Sequence, residues 1–225
     1  MQNTIYNVLI WTLPVLLAIT LHEAAHGLAA DKLGDSTARK LGRISINPFK
    51  HIDPVGTVLV PLMTLLTFGI AFGAAKPVPV NTDNFKQPYL DMALVALAGP
   101  ASNMFMACCW AWLIAIGTYL VPSPDFARAL HDMGQAGVAI NVVIMALNML
   151  PIPPLDGSKI VAGVLPAKFV TRYLHFERYG FIILIGLIVL EVVFRVPIFS
   201  TLLFLLVKPF MYVLENLFKF QGIYF

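Results

Sequence analysis

Long apolar stretches separated by short polar ones set the pattern of the chain. A bilayer core takes roughly 20 apolar residues per helix, and six stretches reach or approach that length: 5–30, 55–75, 92–121, 135–150, 179–194 and 196–218. Lys208-Pro209 interrupts the last, and Pro61, Gly69 and Gly73 are break points in the second. No period repeats along the chain and no low-complexity tract stands out. The pattern predicts an all-α polytopic membrane protein of five to six membrane segments. One of them is expected to be re-entrant, with short extended elements lining a cleft. Residues 1–225 read as a single membrane domain, with the C-terminal membrane segments at 179–218.

Composition sharpens this picture. Hydrophobic residues make up 59% of the chain and charged residues 12%, where a soluble domain has about a quarter charged. Mean hydropathy is +0.81, which leaves too little polar surface to coat a water-soluble globule. Disorder, a collagen-like chain and a disulfide-stapled secreted fold are excluded by the same balance. The net charge of +3 is too small to point to nucleic acid. Cys108 and Cys109 are adjacent in an apolar run and read as packing residues. The N-terminus has no basic region ahead of its apolar stretch, so it does not read as a signal peptide.

The first apolar stretch ends in His22-Glu23-Ala24-Ala25-His26. Positions four apart share a helical face, so the two imidazoles can meet at one metal. Glu23 beside them can act as a general base, in the H-E-x-x-H pattern of zinc peptidases. Ionisable groups in a membrane helix are costly, which marks these as functional. A catalytic zinc needs a third protein ligand and an open position. Asp156, in Asn148-Met-Leu-Pro-Ile-Pro-Pro-Leu-Asp-Gly157, is the strongest candidate. Prolines 151, 153 and 154 stop the preceding helix, so Asp156 is expected to project from an extended turn closed by Gly157. His51 and Asp53 compete for the same role from a charged loop, where a solvated histidine is the commoner outcome.

These two motifs together resemble the site-2 protease family of intramembrane zinc metalloproteases. Three further stretches agree: Asn47-Pro-Phe-Lys-His-Ile-Asp-Pro-Val-Gly56, Lys76-Pro-Val-Pro-Val-Asn81 and Ala98-Gly-Pro-Ala-Ser-Asn103. The likeness covers roughly residues 20–160 of a catalytic core at about 5–160, and resembles the small branch without a PDZ or CBS domain. It implies one Zn2+ per chain bound by His22, His26 and Asp156, with Glu23 as catalytic base. It also implies a substrate or oxyanion role for Asn148. Asn103 and Asn141 are candidates for substrate contact or for hydrogen bonding between helices. Pro77, Val78, Pro79, Val80 and Asn81 form either an edge that pairs with an unwound substrate or a proline-rich surface loop.

Basic residues suggest the orientation. The loops 31–54, 76–91 and 155–178 hold eleven lysines and arginines, against only Arg128 and Arg195 on the opposite side. If segment 55–75 is re-entrant, the loops of the zinc ligands share a side, and the positive-inside rule places it in the cytosol. The sequence thus reads as an endopeptidase of the cell membrane, acting on transmembrane segments of other proteins or on remnant signal peptides. A metal-ion transporter is the rival reading, though such proteins often carry repeated halves.

Overall fold

The computed structural model describes residues 2–60, 62, 63, 66 and 75–218. Helix α1 spans Gln2–Leu33, and the single turn α2 spans Thr37–Lys40. Short turns follow at Pro48–Lys50, Pro54–Leu59 and Thr82–Asn84. The chain continues with α3 (Pro88–Leu120), α4 (Pro124–Met149), α5 (Asp156–Val164) and α6 (Ala167–Leu174). It closes with α7 (Glu177–Val192) and α8 (Ile198–Phe218). There is no strand among the described residues. Helices α1, α3, α4 and α8 are long and apolar enough to cross a membrane, and a pair bent by 55° over 168–192 allows a fifth crossing. The protein is therefore an all-α, multi-pass membrane protein.

Two boundaries differ from expectation for physical reasons. Helix α4 begins at Pro124 rather than near residue 135. Its first turns carry Asp125, Arg128, His131 and Asp132, which lower the hydropathy without breaking the helix. Pro124 at the first helical position loses nothing by lacking an N–H. Asp156, expected in a turn, is instead the first residue of α5. The helix restarts once the prolines are passed, and a carboxylate at a helix N-terminus is electrostatically favourable. Pro209 is accommodated inside α8 without ending it. The expected break points Pro61, Gly69 and Gly73 lie outside the described residues.

Helices α3, α4 and α8 share one core, in which Trp110 and Ile114 meet Val138, Val142, Met145, Val207 and Met211. Close approach of α3 and α4 rests on a glycine. A Cβ at Gly137 would stand 2.2 Å from the Trp110 ring, so any larger residue forces the helices apart. Helix α1 packs on α3 and α4, and α5 packs on α3. This brings the HEAAH turn and Asp156 to the same flank of α3.

Between Ala75 and Asn81 the chain forms neither helix nor strand. Pro77 and Pro79 bias the residues before them, Lys76 and Val78, towards extended backbone. This strap is held at several points. The Lys76 N–H donates to His51 O at 2.9 Å, and the Arg43 guanidinium donates to Lys76 O at 2.9 Å. Asp35, fully buried, accepts from the Asn81 N–H and the Asn84 amide, each at 2.7 Å, and from the Thr37 hydroxyl at 2.5 Å. Burial works to raise the Asp35 carboxyl, but the bonds from Thr37, Asn81 and Asn84 outweigh it and hold it below its ordinary value.

Candidate metal centre

His22, His26 and Asp156 converge. His22 Nε2 lies 3.1 Å from Asp156 Oδ2, His26 Nε2 lies 3.2 Å from the same oxygen, and the two Nε2 atoms are 3.0 Å apart. All three residues are buried. Donor atoms on a tetrahedral zinc at about 2.0–2.1 Å stand roughly 3.3 Å from one another, so the spacing suits that ion.

Protonation decides whether these residues fit a cation. The Nδ1–H of His22 donates to Asn103 Oδ1 at 2.6 Å, and the Nδ1–H of His26 donates to Val95 O at 2.7 Å. With both Nδ1 protons committed, the neutral rings present bare Nε2 lone pairs to each other and to a carboxylate oxygen. When both rings are neutral, three acceptors face one another, an arrangement that a bound cation resolves. Among the described residues this is the group that could hold a metal. The other oxygen of Asp156, Oδ1, stands 4.0 Å from Lys159 Nζ.

Two glycines make the convergence possible. A Cβ at Gly99 would lie 2.5 Å from His26 Nε2 and 2.6 Å from His22 Cε1. A Cβ at Gly157 would lie 2.4 Å from the carbonyl oxygens of Met149 and Leu150. The first lets α3 pass beside both imidazoles, and the second lets α5 start against the end of α4. Neither was assigned a site role by sequence, because nothing along the chain reveals what crosses at that point.

Glu23 faces the strap, where its Oε2 accepts from the Val78 N–H at 2.9 Å. The segment 77–81 is thus joined to the HEAAH turn through Val78. Asn103, fully buried, lies against His22, whereas Asn148 donates its amide to Ile144 O of its own helix at 3.0 Å. His51 is buried rather than solvated and donates from Nε2 to Ser45 O at 2.9 Å, away from the metal group. Asp53 caps the following turn, accepting from the Gly56 N–H at 2.6 Å.

A buried two-histidine, one-carboxylate group at the end of a membrane-length helix, with a glutamate next in sequence to its first histidine, is a donor set that could hold a metal ion in a membrane protein. Comparison with known proteins narrows this. The chain is 38% identical over 179 residues to the "Putative zinc metalloprotease YwhC" of Bacillus subtilis, covering 78% of each chain. It is 27% identical over 179 residues to Rip2 of Mycolicibacterium smegmatis, covering 77% of this chain and 64% of that one. To MJ0611 of Methanocaldococcus jannaschii it is 33% identical over 96 residues, covering 43% of this chain and 46% of that one. Both of these also bear the zinc metalloprotease name. No family profile and no solved structure matches the chain. The chain belongs to the zinc metalloprotease family of YwhC, and Zn2+ is the cofactor which that family implies and which the donor set fits.

Proposed function

We propose that this protein is an intramembrane zinc endopeptidase of the site-2 type, in its small branch. It would cut transmembrane segments of other proteins, or remnant signal peptides, near the cytosolic face of the cell membrane. The observation that carries this reading is the convergence of His22 Nε2, His26 Nε2 and Asp156 Oδ2 to within 3.2 Å of one another, with Glu23 directly after the first of them.

Each residue has a role in peptide hydrolysis. His22 Nε2, His26 Nε2 and Asp156 Oδ2 hold the ion. Zinc bound there supplies Lewis acidity to the scissile carbonyl and to a water molecule. Glu23 takes the proton from the attacking water and returns it to the leaving amine. The Val78 N–H bond fixes the Glu23 carboxylate in place while leaving its second oxygen for that proton. A substrate helix satisfies its own backbone, so it must unwind before attack. The strap offers the unwound chain an edge: prolines 77 and 79 provide carbonyls but no N–H, and the N–H groups of Val78 and Asn81 are already bonded inside the protein, so pairing relies on Val80 and on strap carbonyls other than that of Lys76. Asn148, the last residue but one of α4, supplies a polar contact for the peptide. The loops 31–54 and 76–91 would lie on the same, cytosolic side as Asp156 and the histidines.

The test is a purified-protein assay against a panel of transmembrane substrates, with and without a zinc chelator. Glu23→Gln is expected to keep stoichiometric zinc and lose roughly 10²- to 10⁴-fold in rate, the usual weight of a general base. Cleavage that survives complete zinc removal, or a Glu23→Gln variant of normal rate, would overturn the proposal.

A further inference from the structure

Asn103 and Asn141 carry a polar network that the hydrolytic roles above leave unused. Both are fully buried between α1, α3 and α4. Asn103 Oδ1 accepts from the His22 Nδ1–H at 2.6 Å. Its Nδ2 donates in two directions, to Ala18 O at 3.2 Å and to Asn141 Oδ1 at 2.9 Å. Asn141 Nδ2 in turn donates to Gly137 O at 2.8 Å. The orientation of each amide is forced by its neighbours. Carbonyl oxygens of Ala18 and Gly137 can only accept, so the Nδ2 groups must face them and Asn103 Oδ1 must face the imidazole.

We infer that Asn103, braced by Asn141, is the positioning residue that fixes His22 as a metal ligand through its Nδ1–H. This deepens the proposed zinc site and rests on it. An acceptor at Nδ1 selects the tautomer with a bare Nε2, aims that lone pair at the metal and makes the ring a stronger base. Three helices contribute to a single bond: α1 gives the ring, α3 the acceptor, and α4 the partner that stops Asn103 from rotating. A substrate contact by Asn103 is at odds with this arrangement. Its oxygen and both its N–H groups already have partners inside the protein.

The two ligand histidines differ in how they are held. His26 uses a backbone carbonyl, Val95 O, which no substitution deletes. His22 depends on one side chain, and this makes it the adjustable ligand of the pair.

Detergent-solubilised protein can be titrated with zinc against a competing chelator, and separately loaded with cobalt(II) to read the visible absorption of the ligand field. Asn103→Ala is expected to weaken zinc binding by roughly 10- to 100-fold, the usual effect of removing such a partner, and to shift the cobalt bands. Asn103→Asp still accepts from the ring and is expected to recover most of the affinity. Asn141→Ala, which leaves Asn103 bonded to Ala18 and His22, is expected to cost less than Asn103→Ala and to shift the same bands. If Asn103→Ala does not fold, Asn141→Ala and Asn103→Asp carry the test. Unchanged zinc affinity and unchanged cobalt bands in Asn103→Ala, or in Asn141→Ala where Asn103→Ala does not fold, would overturn the positioning role. A His22→Ala variant that binds zinc as well as the wild-type protein would overturn the site itself, a separate result.

Discussion

Gly99 decides whether two imidazoles can share one point, because its missing side chain is the space that they occupy. Overpacking of this kind costs about 1–3 kcal/mol, or roughly 5- to 150-fold in affinity. Gly99→Ala should therefore bind zinc more weakly by that factor while keeping its helical content, as read by metal titration and circular dichroism. The same titration separates the ligand candidates. Asp156→Ala should lose stoichiometric zinc and all hydrolysis, whereas His51→Ala should keep its zinc, because His51 bonds Ser45 O and stands apart from the cluster. Sequence alone points to His22, His26 and Asp156, since H-E-x-x-H spacing and a lone acid after a proline break are local features. Gly99 falls inside the Ala98–Asn103 motif and Asn141 is a candidate for bonding between helices, but neither carries a mark of the partner it meets. Their importance comes from what another helix places against them, and that is visible only in three dimensions.

At the level of elements, the strap 75–81 owes its position to Asp35 more than to its own sequence. The depressed carboxyl of Asp35 means that the fold favours the charged form. Its contribution is therefore present above the unfolded carboxylate value of 3.8 and is lost as pH falls through the lower folded value. Asp35→Ala removes the acceptor for Asn81 and Asn84. With bonds to a charged group worth about 1.5–3 kcal/mol, amide exchange at Val78 and Asn81 should speed up by about one to two orders of magnitude. Wild-type protection at these amides should hold at pH 5 and fall only below pH 4. Exchange rates that ignore both the substitution and acid would remove Asp35 as the anchor. The sequence marks the strap through its prolines, but Asp35 reads there as an ordinary residue of a helix-ending Gly-Asp turn.

Across the whole molecule, the membrane character was legible from hydropathy, and helices α1, α3, α4 and α8 match the apolar stretches that foretold them. The amphipathic start of α4 was not legible, because charged residues on one face lower the average without interrupting the helix. Orientation gives a prediction at this scale. With Cys108 and Cys109 replaced, single cysteines at Asn47 and Asp83 should both be shielded from an impermeant thiol reagent in intact cells. Both should be labelled in inverted vesicles. Labelling of the two from opposite faces would make segment 55–75 a full crossing and would separate Asp156 from the histidines.

The bond between Glu23 and Val78 comes from the main chain, and this changes how the strap tolerates variation. An alanine scan through 76–81 leaves every peptide N–H where it is, so the strap would pass for a spacer. Only proline at position 78 removes the donor outright. A one-residue insertion or deletion does so indirectly, by turning the neighbouring N–H away from the carboxylate. What is constrained here is the length of the segment between its anchors at His51 and Asp35, and side-chain identity at Val78 is limited by its burial rather than by the bond to Glu23.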